Sequence, residues 1–268
     1  MPDHPAPASK LLARFGPVAL VTGASSGIGL EFARVLASQG FDLLLVARRG
    51  DALAAIGQDL TARYGVRVTP LPLDLSEPAS LPALLSACEG ISIGLVVAAA
   101  GFGTSGPFIE NDLSSELDMI DVNCRAVAAL SWHFARRFAA QRRGGLVLLS
   151  SLVAFQGVPR AANYAATKAY VQTLAEGLRH ELRRAGVSVI ASAPGPIRSG
   201  FGDRARMTMG LSQGPEAVAA TTLRALGRQG TVRPGWLSKF LGWSLAALPR
   251  AARTRVMGLV MAGMTKHA

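Results

Sequence analysis

Apolar runs of strand length alternate with longer segments of helical period along most of this chain. This alternation is typical of a parallel sheet that is covered by helices on both faces. Strands are predicted near residues 18–21, 41–47, 66–70, 93–98, 146–149 and 187–192. Helices are predicted near residues 28–38, 51–64, 80–88, 113–141 and 162–184. The pattern therefore predicts an α/β fold, a doubly wound parallel sheet in three layers, with a ligand crevice at the carboxyl ends of its central strands.

Length and composition favour one domain with a C-terminal extension. The chain has 268 residues, and 50% of them are hydrophobic, which is enough material for one large core. We predict a flexible arm at residues 1–15, the main domain at 16–230 and a basic, apolar helical extension at 231–268. Residues 193–214 are rich in proline and glycine and are predicted to form a flexible lid before a helix that starts at Pro215-Glu216. Two further helices are predicted at 237–248 and 250–264.

Several features argue against export, a membrane span and a metal site. Residues 90–109 carry no charge, but glycines and a proline interrupt them, so a short buried strand and a loop are predicted. Residues 1–15 lack the apolar core of an export signal. Cys88 and Cys124 lie in apolar helical patterns, which predicts reduced thiols and a cytoplasmic location. The four histidines lack metal-ligand spacing, and no metal is predicted.

A glycine-rich turn, Thr22 to Gly29, follows the first predicted strand and opens the first predicted helix. Glycines there allow a pyrophosphate to approach the backbone, and the helix N-terminus offers unpaired N–H groups. The residues predicted to bind a dinucleotide are Gly23, Ser25, Ser26, Gly27, Ile28 and Gly29. The alternative is a glycine turn without a ligand.

The end of the second predicted strand indicates which dinucleotide binds. A carboxylate there would accept the adenosine ribose hydroxyls of NAD, whereas an arginine can pair with the additional phosphate of NADP. Ala47 occupies the expected place of the acid and Arg48 follows it, so NADP is predicted. Arg48 and Arg49 could instead be a solvated basic pair. Asp74 and Leu75, after the third predicted strand, are predicted to contact the adenine, with a helix or turn cap as the alternative for Asp74.

Tyr164 and Lys168 are the candidate catalytic pair. They lie four residues apart in a predicted helix, so both side chains lie on one helix face. The fixed positive charge of Lys168 is expected to lower the pKa of the Tyr164 phenol toward working pH. Such a phenol can exchange a proton with a carbonyl or alcohol oxygen.

In order along the chain, the motifs are Thr22 to Gly29, Asp74, Asn123, Ser151, Tyr164 with Lys168, and Pro194-Gly195. On these motifs residues 16–230 resemble the short-chain dehydrogenase/reductase family, whose domain is a Rossmann fold. The resemblance implies that Tyr164 is the general acid or base and that Ser151 stabilises the substrate oxygen. It implies that Lys168 holds the nicotinamide ribose and lowers the Tyr164 pKa, and that Asn123 completes a proton relay through water. The further cofactor-binding residues that it implies are Gly101, Tyr164, Lys168, Pro194, Gly195, Ile197 and Ser199.

Three alternatives remain at these positions. Ser150 competes with Ser151, although the spacing to Tyr164 favours Ser151. Asn123 could simply satisfy a backbone group in an apolar helix. Where the family usually has Asn-Asn-Ala-Gly, this chain has Ala98-Ala99-Ala100-Gly101, which raises the alternative of a catalytically weak NADP(H)-binding protein with a regulatory or sensing role.

The C-terminal extension is strongly basic. The net charge is +11, and after Glu216 the chain has eight basic residues and no acidic one. Trp236, Phe240 and Trp243 recur at helical spacing, and Val256, Leu259, Val260 and Met264 mark a second apolar face. These helices are expected either to cap the substrate cleft or pack on another subunit, or to lie in a membrane interface. Nucleic acid is disfavoured because no recognition motif is present.

Taken with the resemblance, these observations predict an NADP(H)-dependent oxidoreductase that moves a hydride between nicotinamide and a carbonyl or secondary alcohol. Reduction is the expected direction, and a homo-oligomer is the expected assembly. The substrate is predicted to be an apolar small molecule. The residues expected around its crevice are Phe102, Phe108, Val153, Phe155, Val158 and Phe201.

Overall fold

The computed structural model describes residues 9–198 and 214–265, and its strands form one sheet. The strands are β1 (Val18–Thr22), β2 (Asp42–Ala47), β3 (Val68–Pro72), β4 (Ile93–Ala98), β5 (Gly144–Leu149), β6 (Val187–Ser192) and β7 (Thr231–Val232). Their order is β3-β2-β1-β4-β5-β6-β7, and every pairing is parallel. The sheet is thus wound in both directions from β1, as predicted, and the carboxyl ends of β1 and β4 meet where the winding reverses.

Helices cover both faces of the sheet. They are α1 (Lys10–Phe15), α2 (Gly27–Ser38), α3 (Gly50–Tyr64), α4 (Ser80–Ala87), α5 (Leu113–Ile120), α6 (Ala126–Gln141), α7 (Ala162–Leu182), α8 (Glu216–Ala225), α9 (Trp236–Ala246) and α10 (Arg250–Met264). The strands carry apolar side chains on both sides, so that Val96 packs with α4, α6 and α7 while Val97 packs with α2, α3 and α8. This two-sided burial explains the continuous apolar runs in the sequence.

Two predicted elements need correction. The predicted flexible arm is helical over Lys10–Phe15, because Ser9 caps the first turn and the Phe15 side chain is buried against the sheet. The third strand, predicted at 66–70, begins two residues later and contains Pro70 and Pro72. Proline is tolerated there because β3 is an edge strand that pairs only with β2.

The predicted helix 113–141 is divided by one wider turn. A π-helical segment, Asp121–Arg125, joins α5 to α6 and contains Asn123. Such π-helical turns are often found at functional sites. Most of the predicted lid at 193–214, together with Ser199 and Phe201, lies outside the described residues.

Candidate active site

A cavity of about 1070 Å³ opens at the carboxyl ends of the central strands. The residues predicted to bind a cofactor line it together, apart from Ser199, which is not described. These are Gly23, Ser25, Ser26, Gly27, Ile28, Gly29, Arg48, Asp74, Leu75, Gly101, Tyr164, Lys168, Pro194, Gly195 and Ile197. Ser151 also lines the cavity, whereas Asn123 lies behind its wall with no exposed surface. The sequence-predicted site is therefore one continuous space.

The glycine turn forms one end of the cavity through close backbone packing. Gly23 has φ +68°, and a Cβ added to it would lie 2.8 Å from the Cα of Ala100. A Cβ on Gly29 would overlap the carbonyl oxygen of Gly23, so α2 can start this close to the turn only with glycine there. The first turn of α2 consequently faces the cavity with its N–H groups, which is the arrangement that a phosphate requires.

Two arginines lie beside this turn. The Arg48 Nη1 is 3.5 Å from the Asp74 Oδ2, and both side chains are partly exposed. Arg49 donates from Nη2 to the backbone carbonyl and the hydroxyl of Ser25 at 3.1 and 3.3 Å. Both arginines line the cavity, and the Arg49 guanidinium contacts the glycine turn at Ser25. Arg49 is thus a candidate site residue that the strand-end argument does not single out.

Asp74 both caps a turn and lines the cavity, so neither of its two sequence interpretations excludes the other. Its Oδ1 accepts hydrogen bonds from the Ser76 backbone N–H at 3.1 Å and the Ser76 hydroxyl at 2.8 Å, so it does cap the following turn. Burial acts to raise the pKa of Asp74, but the Ser76 hydrogen bonds and the charge of Arg48 outweigh it and lower the pKa. The carboxylate is held ionised at the cavity wall.

Ser151 and Tyr164 are hydrogen-bonded to each other through their side chains. Ser151 follows β5 and caps a short 3-10 turn, Leu152–Phe155, which fixes its position. The competing Ser150 is buried and donates its hydroxyl to the backbone carbonyl of Lys168 at 3.1 Å. The hydroxyl of Ser150 therefore holds α7 against β5, and Ser151 is the serine whose side chain contacts the phenol.

The electrostatics of Tyr164 and Lys168 differ from the sequence expectation. Lys168 donates to the Leu149 carbonyl at 2.9 Å, and its Nζ lies 5.8 Å from the centre of the Tyr164 ring. Burial raises the pKa of Tyr164 to about 12, against the lowering effect of the Ser151 hydrogen bond. Burial also lowers the pKa of Lys168 to about 8. The expected lowering of the Tyr164 pKa by Lys168 is wrong for this geometry, because both groups lose water and burial outweighs the other interactions.

The side chain of Asn123 holds the cavity wall rather than forming part of its surface. Its Oδ1 accepts from the Phe102 backbone N–H at 3.1 Å, and its Nδ2 donates to the Phe102 carbonyl at 2.9 Å and to Thr167 at 3.0 Å. A Cβ on Gly101 would lie 2.8 Å from this Oδ1 and 3.2 Å from the Lys168 Nζ. Asn123 thus satisfies a backbone group, as its alternative interpretation held, and is next to Lys168.

The segment that lacks the family's asparagines is held by other contacts. The Ala100 backbone N–H donates to the buried Thr22 hydroxyl at 3.0 Å, and the Ala99 N–H donates to the Val97 carbonyl at 3.1 Å. Ala99, Ala100 and Gly101 all line the cavity. The turn after β4 is therefore anchored to β1 without amide side chains.

The opposite end of the cavity is apolar, and the C-terminal helices close it. Leu245 and Leu248, from the end of α9 and the loop that follows, line it together with Val256, Met257, Val260, Met261 and Met264 of α10. Met261 is buried in the same cluster as Tyr164. Methionine side chains adapt to irregular ligands, so this wall suits bulky apolar groups. Met257, Met261 and Met264 are spaced four and three residues apart, which is the sequence signal that could have indicated this wall.

The residues expected around the apolar crevice divide into two groups. Phe102 and Val153 line the cavity, and Val158 is buried beside Tyr164. Phe108 is instead 56% exposed. The Arg233 guanidinium lies 4.5 Å from the centre of the Phe155 ring, which is not among the residues that line the cavity. Phe108, Phe155 and Val158 are therefore not among the described residues that line the cavity, contrary to the prediction, because hydrophobicity alone does not specify where a loop residue points.

The fold and this arrangement of glycine turn, serine, tyrosine and lysine define a class of nucleotide-binding oxidoreductase domain. Residues 17–209 match the family model described as short chain dehydrogenase. The chain belongs to this family, as its sequence motifs indicated.

Relatives and solved structures agree with this assignment. The chain is 30% identical over 253 residues to a very-long-chain 3-oxoacyl-CoA reductase of Pyrenophora tritici-repentis, covering 88% of this chain and 74% of that protein. It is 31% identical over 182 residues to a 7beta-hydroxysteroid dehydrogenase of Clostridium sardiniense, covering 68% and 70% of the two chains. A short-chain dehydrogenase from Sphingobium yanoikuyae in complex with NADPH superposes with a TM-score of 0.78 at 30% identity, covering 90% of this chain and 95% of that one.

Proposed function

We propose that this protein is an NADPH-dependent reductase of bulky, apolar ketones or 3-oxoacyl compounds. The observation that carries the proposal is the single cavity that has the glycine turn at one end, the Ser151 and Tyr164 side chains in its wall and the methionines of α10 at the other. The two relatives are named for very-long-chain 3-oxoacyl-CoA and hydroxysteroid substrates, both of which carry a large apolar group. They support the substrate class without selecting between its members.

The residues present fit a nicotinamide dinucleotide. The glycines at 23 and 29 leave no room for a Cβ, and the N-terminus of α2 would hold the pyrophosphate. Arg48 and Arg49 would hold the additional phosphate of NADP through charge-assisted hydrogen bonds. A bound nicotinamide supplies the hydride. The protein's own part is to hold the carbonyl, provide a proton and exclude water.

In this mechanism Ser151 and Tyr164 donate hydrogen bonds to the substrate carbonyl oxygen, which stabilises the charge that develops there. When hydride reaches the carbonyl carbon, the Tyr164 Oη transfers its proton to the oxygen, and the alcohol forms. Lys168, whose Nζ donates to the Leu149 carbonyl beside Tyr164, would hold the nicotinamide ribose. Asn123 acts by holding the Phe102 backbone and, with Thr167, the wall beside Lys168.

The raised pKa of Tyr164 suits this residue to donating a proton, which is its role in reduction. Reduction starts from a protonated phenol, and burial raises the pKa of Tyr164 to about 12, so the phenol is protonated at every physiological pH. Oxidation would start from a phenolate, which the same burial disfavours. Reduction of the ketone therefore starts from the protonation state that the site already stabilises.

The test of the chemistry is Tyr164→Phe, with NADPH absorbance followed against an aryl ketone, a steroid ketone and a 3-oxoacyl thioester. Tyr170→Phe is the matched control, because Tyr170 is on the same helix but 42% exposed and outside the cavity. We expect turnover to fall by at least about a hundredfold in the first variant, since general acid catalysis contributes that much, and to be unchanged in the second. Equal turnover of wild type and Tyr164→Phe would refute the mechanism. Tight NADPH binding without turnover of any substrate would instead favour the sensing alternative.

The cofactor preference is tested by Arg48→Asp. We expect weaker NADP binding and stronger NAD binding, because a carboxylate at this position would accept the ribose hydroxyls. Arg67→Asp is a suitable control, since Arg67 is also an exposed arginine that is paired with an aspartate, Asp42, but at the amino end of β2. Unchanged NADP affinity in Arg48→Asp would show that Arg48 does not contact the cofactor.

A further inference from the structure

Helix α9 presents an aromatic face that is directed away from the domain. Trp236, Phe240 and Trp243 are 71%, 58% and 75% exposed, and their spacing places them on one side of the helix. The helix is held firmly on its other side, where the buried Ser238 hydroxyl accepts from the Gly195 backbone N–H at 2.7 Å. The three aromatic side chains therefore stand on a fixed element beside the cavity, outside the core.

The charged side chains of α9 and α10 all have one sign. After Glu216 the chain contains no acidic residue. Lys239 lies between Trp236 and Phe240 in the sequence, Arg250 begins α10 and Arg255 follows five residues later on the same helix. All three are exposed. The surface therefore combines exposed aromatic side chains with exposed positive charge.

A second exposed apolar stripe provides the contrast. Leu113 and Leu117 on α5 are 67% and 52% exposed, but their neighbours include Glu110, Asp112 and Asp118. An anionic surface would be repelled there and attracted at α9. The charge thus distinguishes two surfaces that exposure alone would not.

The apolar surface near α9 continues into the cavity. Leu248, Val256 and Val260 are 36%, 38% and 47% exposed, and all three also line the cavity. Leu259, beside them on α10, is 78% exposed. An apolar molecule could consequently move from this surface to Tyr164 along a route with continuous apolar contacts.

We propose that the aromatic face of α9 and the adjoining exposed part of α10 dock the protein on an anionic lipid bilayer, with the mouth of the cavity toward the lipid. Tryptophan and phenylalanine are suited to the interface of a bilayer, and basic side chains to its anionic headgroups. The contact would be interfacial, since none of the described helices is long and apolar enough to cross a membrane. Docking does not depend on the proposed chemistry.

The experiment is cosedimentation of the full chain with phosphatidylcholine vesicles, with and without phosphatidylglycerol, at low and high salt. We expect binding only to the anionic vesicles, and weaker binding at high salt because exposed charges are screened. Trp243→Ser should weaken binding by about tenfold or more, from the lost burial of apolar area. Lys239→Glu should weaken it by about fivefold for each unit of charge changed.

Matched controls separate docking from general effects. Ile109→Ser removes an apolar side chain that is 92% exposed on the other surface, and Lys10→Glu makes the same charge change on α1. Both variants should bind vesicles as wild type does, and so should Tyr164→Phe. A loss of turnover in Tyr164→Phe without a loss of vesicle binding would concern only the catalytic proposal. Circular dichroism of each variant would show that it is folded.

Three outcomes would overturn the docking proposal. The first is absence of binding to anionic vesicles by the wild type. The second is binding that neither Trp243→Ser nor Lys239→Glu weakens, which would assign the contact to another surface. The third is a wild-type dimer that Trp243→Ser dissociates in sedimentation velocity without any vesicle binding, which would show that a second copy covers the face.

Discussion

A buried carboxylate, Glu116, fixes the loop that precedes α5 to the start of the catalytic helix. It is 3% exposed. Its Oε1 accepts from the Thr104 hydroxyl at 2.6 Å and the Asn111 amide at 2.8 Å, and its Oε2 accepts from the Asn163 amide at 2.6 Å. Asn163 is the residue before Tyr164. We predict that this cluster sets both the stability of the loop and the position of the phenol.

The size of the effect follows from the donors that would lose their acceptor. Glu116→Ala removes their carboxylate acceptor, and an unsatisfied buried group costs about 1–3 kcal/mol. Because the three donors are only partly buried and Asn163 keeps its hydrogen bond to the Glu116 backbone carbonyl, the free energy of unfolding should fall by about 2–3 kcal/mol, a large part of the roughly 5–15 kcal/mol that is typical of a domain. Glu116→Gln keeps the shape of the side chain and one acceptor oxygen, which can replace Oε1. Its new NH2 group would then lie against the NH2 group of Asn163, where Oε2 accepts in the wild type. A rotated Asn163 amide can recover that contact, so a loss of only about 1 kcal/mol is expected.

The assay is urea unfolding of wild type, Glu116→Ala, Glu116→Gln and the control Glu110→Ala, with Glu110 chosen because it is an exposed glutamate of the same loop. The loss of stability should be largest for Glu116→Ala, small for Glu116→Gln and negligible for Glu110→Ala. Because Asn163 positions Tyr164, kcat should fall more than KM changes in Glu116→Ala, and Glu116→Gln should restore most of it. An unfolding midpoint of Glu116→Ala equal to that of wild type would refute the reasoning.

Three further predictions follow from the cavity. Burial lowers the pKa of Lys168 from 10.5 to about 8, so between these values the unfolded chain holds a proton that the folded chain has released. Stability of the cofactor-free protein should thus rise with pH in this window, and Lys168→Met should remove the rise in a series of melting temperatures. A melting profile of Lys168→Met parallel to that of wild type would contradict this. Gly101→Ala puts a Cβ 2.8 Å from the Asn123 Oδ1, so Asn123 must move, and kcat should fall by about tenfold or more in steady-state kinetics. An unchanged kcat would mean that the position of Asn123 does not affect the reaction. Met257→Trp fills the apolar end, so kcat/KM for a steroid ketone should fall by about tenfold or more while a small ketone is spared, and an equal loss for both would argue against a substrate contact.

The parts of the site that local sequence determines could be predicted. The glycine turn lies between a strand and a helix, and Tyr164 and Lys168 lie on one helix, so neighbouring residues fix their geometry. The topology then brings these pieces together, since parallel strands end at the same edge of the sheet. The doubly wound parallel sheet and the bounds of α10 agree with the prediction.

The remaining parts depend on contacts between distant segments. The strand-end argument gave Arg48 a role, but only the fold shows that Arg49 reaches back to Ser25 across 24 positions. The expected lowering of the Tyr164 pKa was wrong because the sequence gives the distance to Lys168 along a helix and not the burial of both groups. Burial is a property of everything packed around a residue, so no local spacing can supply it.

The same distinction separates the two ends of the cavity. At the end with the glycine turn, the cavity is lined mainly by backbone groups: glycines that have no room for a Cβ, and the N–H groups at the start of α2. At the substrate end it offers side chains of α9 and α10, which are joined to the domain by contacts such as Ser238 with Gly195 and the close approach of Gly242 to Arg233. A change in these two helices would alter the apolar wall directly, whereas the glycine turn is fixed by its packing against Ala99 and Ala100. We therefore expect substitutions in the last forty or so residues to change substrate choice more than cofactor binding.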